Sequence, residues 1–472
     1  MTSRLRTAFL LFLFSTFNLL VASVASPIAN AQVIELKRGI NFGNMLEAPY
    51  EGAWGLRAEE AYFDRAVEAG FDHVRLPVAW TYHAESSYPY TIDETFFSRV
   101  DELVEQATSR GLKIIVNVHH YPELNQAPLF EWDRALAIWT QIADRYQNAS
   151  NDMVAFEILN EPQGVFTSQP ELWNQFMAEA LAIIRNTNPI RTVLAGPVNF
   201  NAIPSLNSFD PPWDPNMLVT VHYYEPFLFT HQGAHWVNPS PPTGVNWSPH
   251  TKVIGDGWQN WSWDTTALSR TGGIKVTWNA GWAGFRLHHD IGIADATEVV
   301  FSCNRAETIR VKALRADGTG QEVVVNTQPG YRFYAAPIYG TPTSPITDVS
   351  FENATPNPGQ EFTIQHLGLP ANGSFNRMII TGTSSILEDM QEAADWGEAN
   401  GFPVHVGEFG AFERGNITYR TNWTRLVRAH AERVGLGWAY WEFGSGFGVY
   451  DPAISKWKPT LIKALFPGFN PK

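Results

Sequence analysis

The chain has 472 residues and a single cysteine, Cys303. No intramolecular disulfide can form, and zinc sites built from several cysteines are excluded. Charge is also scarce. Charged residues make up 17% of the chain, and the balance is acidic, with 33 Lys and Arg against 47 Asp and Glu and a net charge of −14. Phosphate backbones are held by clustered Lys and Arg, and no basic run occurs past the N-terminal segment, so nucleic acid is not an expected partner. Long hydrophobic runs are missing everywhere but at the start, "MTSRLRTAFLLFLFSTFNLLVASVASPIANAQ". There Arg4 and Arg6 precede an apolar run from Ala8 to about Ala25, and "ANA" before Gln32 has the form of a cleavage site. This pattern is that of a secretory signal peptide over residues 1–31. The rival reading is a retained membrane anchor, against which the run is near the lower length limit for spanning. The expectation is a secreted, extracellular protein with no membrane contact after cleavage.

What the chain does have is apolar and aromatic. Hydrophobic residues are 44%, aromatics 13%, and 18 residues are Trp. Disordered chains are poor in aromatics, so this one is globular. Indole rings fill large cores; they also pack well on the apolar CH faces of sugar rings.

Strand-like and helix-like segments alternate after the leader. "RGINFG" (Arg38 to Gly43), "HVRLPV" (His73 to Val78), "KIIVNVHH" (Lys113 to His120), "MVAFEILNE" (Met153 to Glu161), "RTVLAGP" (Arg191 to Pro197) and "LVTVHYYEP" (Leu218 to Pro226) read as six strands, with amphipathic helices between most of them. From about Lys252 to Gly382 the helical pattern stops. Short alternating segments punctuated by Gly, Pro, Asn and Asp take its place, as in a β-sandwich. The α/β rhythm then returns with "PVHVGEFG" (Pro403 to Gly410) and "GWAYWEFG" (Gly437 to Gly444). Six strands plus two make eight β/α units, the number in a (β/α)8 TIM barrel. The fold expected is therefore α/β: a barrel with a β-sandwich inserted after strand six. Its divisions are residues 1–31 for the leader, 32–251 and 383–472 for the barrel, and 252–382 for the insert.

The chemistry concentrates where strands end. "FEILNEP" (Phe156 to Pro162) finishes an apolar strand on Asn160 and Glu161, with Pro162 as a stop. Alternation gives Glu157, Leu159 and Glu161 one parity, so Glu161 should point to the barrel mouth. Asn160 has the other parity and reaches the site only if the backbone twists. In "VHVGEFG", Glu408 ends strand seven between Gly407 and Gly410. Two carboxylates facing one cleft are the equipment of glycoside hydrolysis. Proximity to an ionised Glu408 is expected to keep the Glu161 proton on. Glu157 reads as a buried structural acid below the site, and Glu442 as a bond to the helix layer. His222 and Tyr224 share parity, whereas His119 and His120 face opposite ways in a regular strand.

On these segments the chain resembles glycoside hydrolase family 5, the cellulase-type barrels. "HVRLP", "VNVHH", "ILNEP", "VHYYEP", "GEFG" and "WAYWEF" carry the resemblance, over about Ile34 to Val237 and Ser384 to Phe466. It implies Glu161 as general acid/base and Glu408 as nucleophile. It implies Arg75 and Tyr224 as groups that hold the nucleophile, and Asn160 as a bond to the sugar 2-hydroxyl. His119 and His222 would line the cleft and order the acid/base, and Trp441 would be the stacking platform. His120 is held as a further contact. "GINFGNMLEAPYEG" (Gly39 to Gly52) is similar to the first loop of a subgroup of secreted endoglucanases and offers Asn44 and Glu47 as sugar contacts. The implied activity is a retaining endo-β-1,4-glucanase on a β-glucan such as cellulose, lichenan or mannan, with no cofactor and no metal. Mannanase, xyloglucanase and lichenase activity, or a non-catalytic glycan-binding barrel, are the alternatives. The insert resembles, more loosely, the jelly rolls found as carbohydrate-binding modules, with Trp258, Trp261, Trp263, Trp278 and Trp282 shared between its core and a sugar surface. Such a module leaving the barrel mouth could also wall the cleft.

Overall fold

The computed structural model describes residues 33–471 apart from 248–253, 255–256, 271–272, 304–307, 329–331, 354–359, 372–373 and 379–382. The segment read as a signal peptide and the borders drawn at 251–252 and at 382 lie outside the described residues. Eight strands close into a barrel: Arg38–Asn41, His73–Leu76, Lys113–Asn117, Val154–Glu157, Val193–Ala195, Met217–Tyr223, Val404–Phe409 and Gly437–Tyr440. All neighbours are parallel. Strand seven pairs directly with strand six, Phe409 opposite Tyr223, although a second pair of sheets lies between them in the chain.

Local signals explain the helices that wrap this barrel. The helix Glu60–Ala69 ends where Gly70 turns left-handed at φ 98°, a conformation that glycine adopts freely. The helix Glu94–Thr108 starts at Asp93, whose side chain accepts from the Phe96 N–H, and it buries Phe96, Phe97, Val100, Leu103 and Val104 against the barrel. Inside the barrel the layers differ. Ile115, Ala155, Leu194 and Leu218 form an apolar floor closed by Leu36. Above it, toward the C-terminal ends of the strands, the buried interior residues are polar: Asn41, Arg75, Asn117, Glu157 and Thr220. Dispersion and solvent exclusion thus hold the bottom, and the top is left for chemistry.

Among the described residues, the chain between strands six and seven forms a five-stranded and a six-stranded antiparallel sheet. Phe285, Leu287, Phe301, Val311, Phe351 and Ile364 fill the space between them, with Trp258, Trp278 and Cys303 also in that core. Phe301 points inward while its neighbour Val300 joins the barrel's core cluster. Phe333, opposite Ser302 on the next strand, stands 5.1 Å from Phe227 of the barrel. The outer face of the six-stranded sheet therefore rests on the barrel, and the five-stranded sheet faces away. No helix among the described residues is long and apolar enough to cross a membrane.

Candidate active site

The site is organised by one buried cation. Arg75, on strand two, points into the barrel and is fully buried. Its Nε and Nη2 donate to Glu157 at 2.6 and 2.7 Å, Nη1 to Glu408 at 2.7 Å and to Asn41 at 2.9 Å, and Nη2 to Asn160 at 2.7 Å. All five guanidinium donors are used. A buried charge is tolerable when paired and hydrogen-bonded in this way. Burial opposes the Arg75 charge, but the Glu157 and Glu408 carboxylates outweigh it and keep the cation. Glu157 is thus the structural acid below the site, as its position in the strand implies.

Glu408 keeps 5% of its side-chain surface exposed and also accepts from the Tyr224 hydroxyl at 2.7 Å. Burial and, less strongly, the Glu161 charge raise its carboxyl above the usual range, while His222, Arg75 and Tyr224 pull the other way. Tyr224 is held far above its ordinary range by burial and by the charge of Glu408, so it remains a donor.

Glu161 reaches the mouth by another route than strand alternation. Strand four ends at Glu157, four residues earlier, and Glu161 itself has φ 50°. That left-handed turn is the twist that lets Asn160 and Glu161 both face the site. Glu161 Oε1 lies 2.8 Å from His222 Nδ1, and Glu408 Oε2 lies 3.6 Å from the same nitrogen. One oxygen of each carboxylate and a ring nitrogen of His222 all fall within 4.8 Å of one another. The Glu161 side chain is 24% exposed, yet burial lifts its pKa to about 7; Arg75 opposes this and Glu157 adds to it. Glu157 repels the Glu161 charge, and the repulsion between Glu161 and Glu408 is felt at Glu408. Burial drives His222 down to about 4, so its ring is neutral near pH 7.

The other expected residues are distributed as follows. No hydrogen bond among the described residues joins His119 to Glu161. The His119 Nδ1 meets the Asn117 amide at 3.1 Å, and its ring stacks on Trp441 at 5.5 Å and 7°. Among the described residues, His222 is the hydrogen-bond partner of the Glu161 carboxyl. Strand three ends at Asn117, so alternation no longer separates His119 from His120; His120 stays half-buried, edge-on to His119 and to the half-exposed Trp54. Asn44 is half-buried beside Gly43, over which the Trp441 ring lies. Glu47 is corrected: at 1% exposure its carboxyl accepts from the Asn44 and Met45 amides of its own turn, so it is not offered to a sugar. Burial raises it to about 8. Glu442 is corrected too, because it accepts from the amides of Gly444, Ser445 and Phe447 rather than from the helix layer.

A cavity of about 470 Å³ opens beside Glu161 and His222, walled by Phe200, Tyr224, Phe227, His231 and Trp236 among others. Trp441 is not among its walls; its ring stacks on His119 instead. His231 and Trp236 escaped the sequence reading because they lie in a loop with no periodicity. Their grouping is visible only in space, His231 stacked on Phe227 at 4.0 Å. Glu161, His222 and Glu408 are also a donor set that could hold a divalent cation. The Arg75 cation, 2.7 Å from Glu408, opposes a second positive charge there.

A family model described as cellulase, glycosyl hydrolase family 5, matches residues 37–267. Endoglucanase H of Acetivibrio thermocellus is 42% identical over 200 residues, which are 42% of this chain and 22% of that protein. Endoglucanase C of the same organism is 30% identical over 216 residues, 43% of this chain and 62% of that protein. The chain thus spans less than two thirds of these relatives. The solved endoglucanase Cel5A of Thermotoga maritima is 30% identical with a TM-score of 0.62, covering 93% of this chain and 99% of that one. It has also been solved with mannotriose.

Proposed function

The chain belongs to glycosyl hydrolase family 5, the cellulase family, and we propose that it is a secreted, retaining endo-β-1,4-glucanase. The observation that carries this reading is the pair Glu161 and Glu408 with unlike surroundings. Arg75 and Tyr224 each donate to Glu408, which favours the carboxylate that a nucleophile requires. Glu161, raised to about 7, still holds a proton near neutral pH. Glu408 attacks the anomeric carbon while Glu161 passes its proton to the departing glycosidic oxygen. Water then attacks the same carbon, Glu161 takes the water proton, and the bond to Glu408 breaks. Carboxylate oxygens within 4.8 Å of each other suit this double displacement; inverting pairs stand roughly 6.5–9.5 Å apart. Trp441 would carry the sugar before the scissile bond, with Asn160, His119 and His120 around it, and the aromatic cavity the sugars after it. Secretion rests on the leader pattern alone.

The test is reducing-end release from carboxymethylcellulose, lichenan, xyloglucan and β-mannan, with the first-formed anomer followed by NMR. The β-anomer is expected from a β-glucan. The α-anomer would mean inversion, and silence on every β-glycan would mean a binding barrel. Mannan is included because of the Cel5A complex with mannotriose.

The sandwich is proposed to anchor the enzyme on polymer. Phe285 and Leu287 point into its core, so Gly284, Arg286 and His288 face outward, away from the barrel. The Trp261 ring stacks on His288 at 3.8 Å and lies over Arg286. The Trp263 ring covers Gly284, where a Cβ would stand 2.2 Å from it. These two contacts are four residues apart, ~13 Å along a strand. Trp282 is 73% exposed, yet its Nε1 is fixed on Asp264. Indoles held rigid and exposed lose little entropy on stacking against sugar. The joint replacement Trp261→Ala and Trp282→Ala should lower activity on insoluble cellulose and lichenan pull-down severalfold and leave cellopentaose turnover unchanged. Equal effects on both substrates would remove the anchoring role.

A further inference from the structure

Asn199, Phe200 and Asn201, just after strand five, have successive φ of 63°, 63° and 55°. Left-handed backbone is unfavourable for residues with a side chain, because Cβ crowds the next carbonyl. Strain of this kind persists where the surroundings over-determine it, and it gathers at functional sites. Here the turn is tied down at both ends. The Phe200 N–H donates to the Pro162 carbonyl, 3.3 Å away and one residue past Glu161, and Ala202 bridges to His222. The outcome is a fully buried Asn201 whose Nδ2 lies 3.2 Å from His222 Nε2. Gly196 makes the room, since a Cβ there would stand 2.5 Å from Asn201 Oδ1. The other flank of Nε2 faces Gly407, so among the described residues Asn201 supplies the hydrogen bond at that nitrogen.

We propose that Asn201 is a positioning residue that fixes His222 as its Nδ1–H tautomer and so confines the acid proton of Glu161 to Oε2. As the amide is placed, Nδ2 rather than Oδ1 faces Nε2, and Oδ1 has no hydrogen-bond partner among the described residues; in that orientation the N–H donates and Nε2 must present its lone pair. The single ring proton sits on Nδ1 and donates to Oε1 at 2.8 Å. An oxygen accepting there cannot direct a proton of its own along the same line. The proton is left to Oε2, which no hydrogen bond among the described residues claims. Once Oε2 has given that proton up, the Nδ1–H contact becomes charge-assisted and steadies the carboxylate that must next take a proton from water. The opposite tautomer would put a lone pair on Nδ1 and draw the acid proton to Oε1, away from substrate. Turning the amide over would choose that tautomer, so the amide orientation decides the matter.

The inference rests on Glu161 being the acid/base. The test uses the full chain labelled with 15N-histidine, His222 being assigned by its absence in His222→Asn. Below the pH at which Glu161 ionises, Nδ1 is expected to be the protonated nitrogen. Asn201→Asp keeps the shape but offers only acceptors to Nε2, and should reverse that signature. Its kcat/KM on cellooligosaccharides should fall on the order of tenfold, with activated aryl glycosides losing less than about threefold. Asn201→Gly tolerates the left-handed backbone and removes the amide; it should show the same split. An Nε2-protonated ring in the unmodified protein overturns the proposal. So do variants that melt earlier but leave both the nitrogen spectrum and the leaving-group split unchanged. If Glu161→Gln itself produces no such split, the acid assignment is at fault, and the tautomer result still stands or falls on the spectrum.

Discussion

Glu408→Ala should abolish turnover of polysaccharide, with kcat falling roughly four to six orders of magnitude, the scale on which removal of a covalent nucleophile acts. The loss should not be one of folding. Arg75 keeps its two-pronged bond to Glu157 and its bonds to Asn41 and Asn160 when the Glu408 carboxylate is gone. A charged pair therefore remains in the core rather than an orphaned cation, the situation that destabilises most. The truncated side chain leaves a gap beside Arg75 and Tyr224, one positive and one donating group, where a small anion is welcome. Azide added to this variant should restore part of the activity on an activated aryl β-glucoside and release the α-glycosyl azide, because it attacks from the face that Glu408 occupied. Thermal melting and product anomer by NMR are the measurements. A β-glycosyl azide, or residual activity above a few per cent in a folded, azide-free sample, would assign the attack to another group.

The barrel was legible because its sequence is locally consistent. Strands rich in Ile, Val and Leu alternate with amphipathic helices, and stop signals such as Gly70 fall where the helix ends. The sandwich was half legible. The strand Ile346–Asn353 carries Asp348, Ser350 and Asn353, residue types common in loops, yet Val349 and Phe351 between them point into the core. Gly284–Ile293 has its alternation broken by an irregularity in register between His288 and Ile293. In the site, Glu157, held by a regular strand, is placed by parity, whereas Arg75 comes from the family resemblance. Residues past the strand ends could not be placed by parity. Glu161, Asn199, Phe200 and Asn201 lie in left-handed turns, and alternation says nothing about a residue whose φ is positive. Glu47, expected to serve a sugar, and Glu442, expected to bond the helix layer, share one outcome: each carboxylate satisfies the amides of its own turn.

The second large effect separates proton transfer from everything else that Glu161 does. Glu161→Gln keeps the size of the side chain and an oxygen for the His222 Nδ1–H, so shape and packing should persist. The proton is lost. On cellooligosaccharides and polymer, whose leaving group is a sugar alkoxide, the glycosylation step should slow by about 10²–10⁴-fold, the usual contribution of a placed acid. Aryl glycosides with acidic phenols leave without help, so the same step should be nearly untouched; single-turnover kinetics isolates it from the later hydrolysis, which also needs Glu161 as base. The pH profile gives the matching signature. Glu161 works as an acid only while protonated, and its pKa is about 7, so kcat/KM on oligosaccharides should fall as pH rises through that value. His222, lowered to about 4, is already neutral across this range and cannot supply the limb. In the Gln variant the limb near 7 should vanish. Equal losses on activated and unactivated substrates, or a basic limb that survives the substitution, would show that the proton comes from elsewhere.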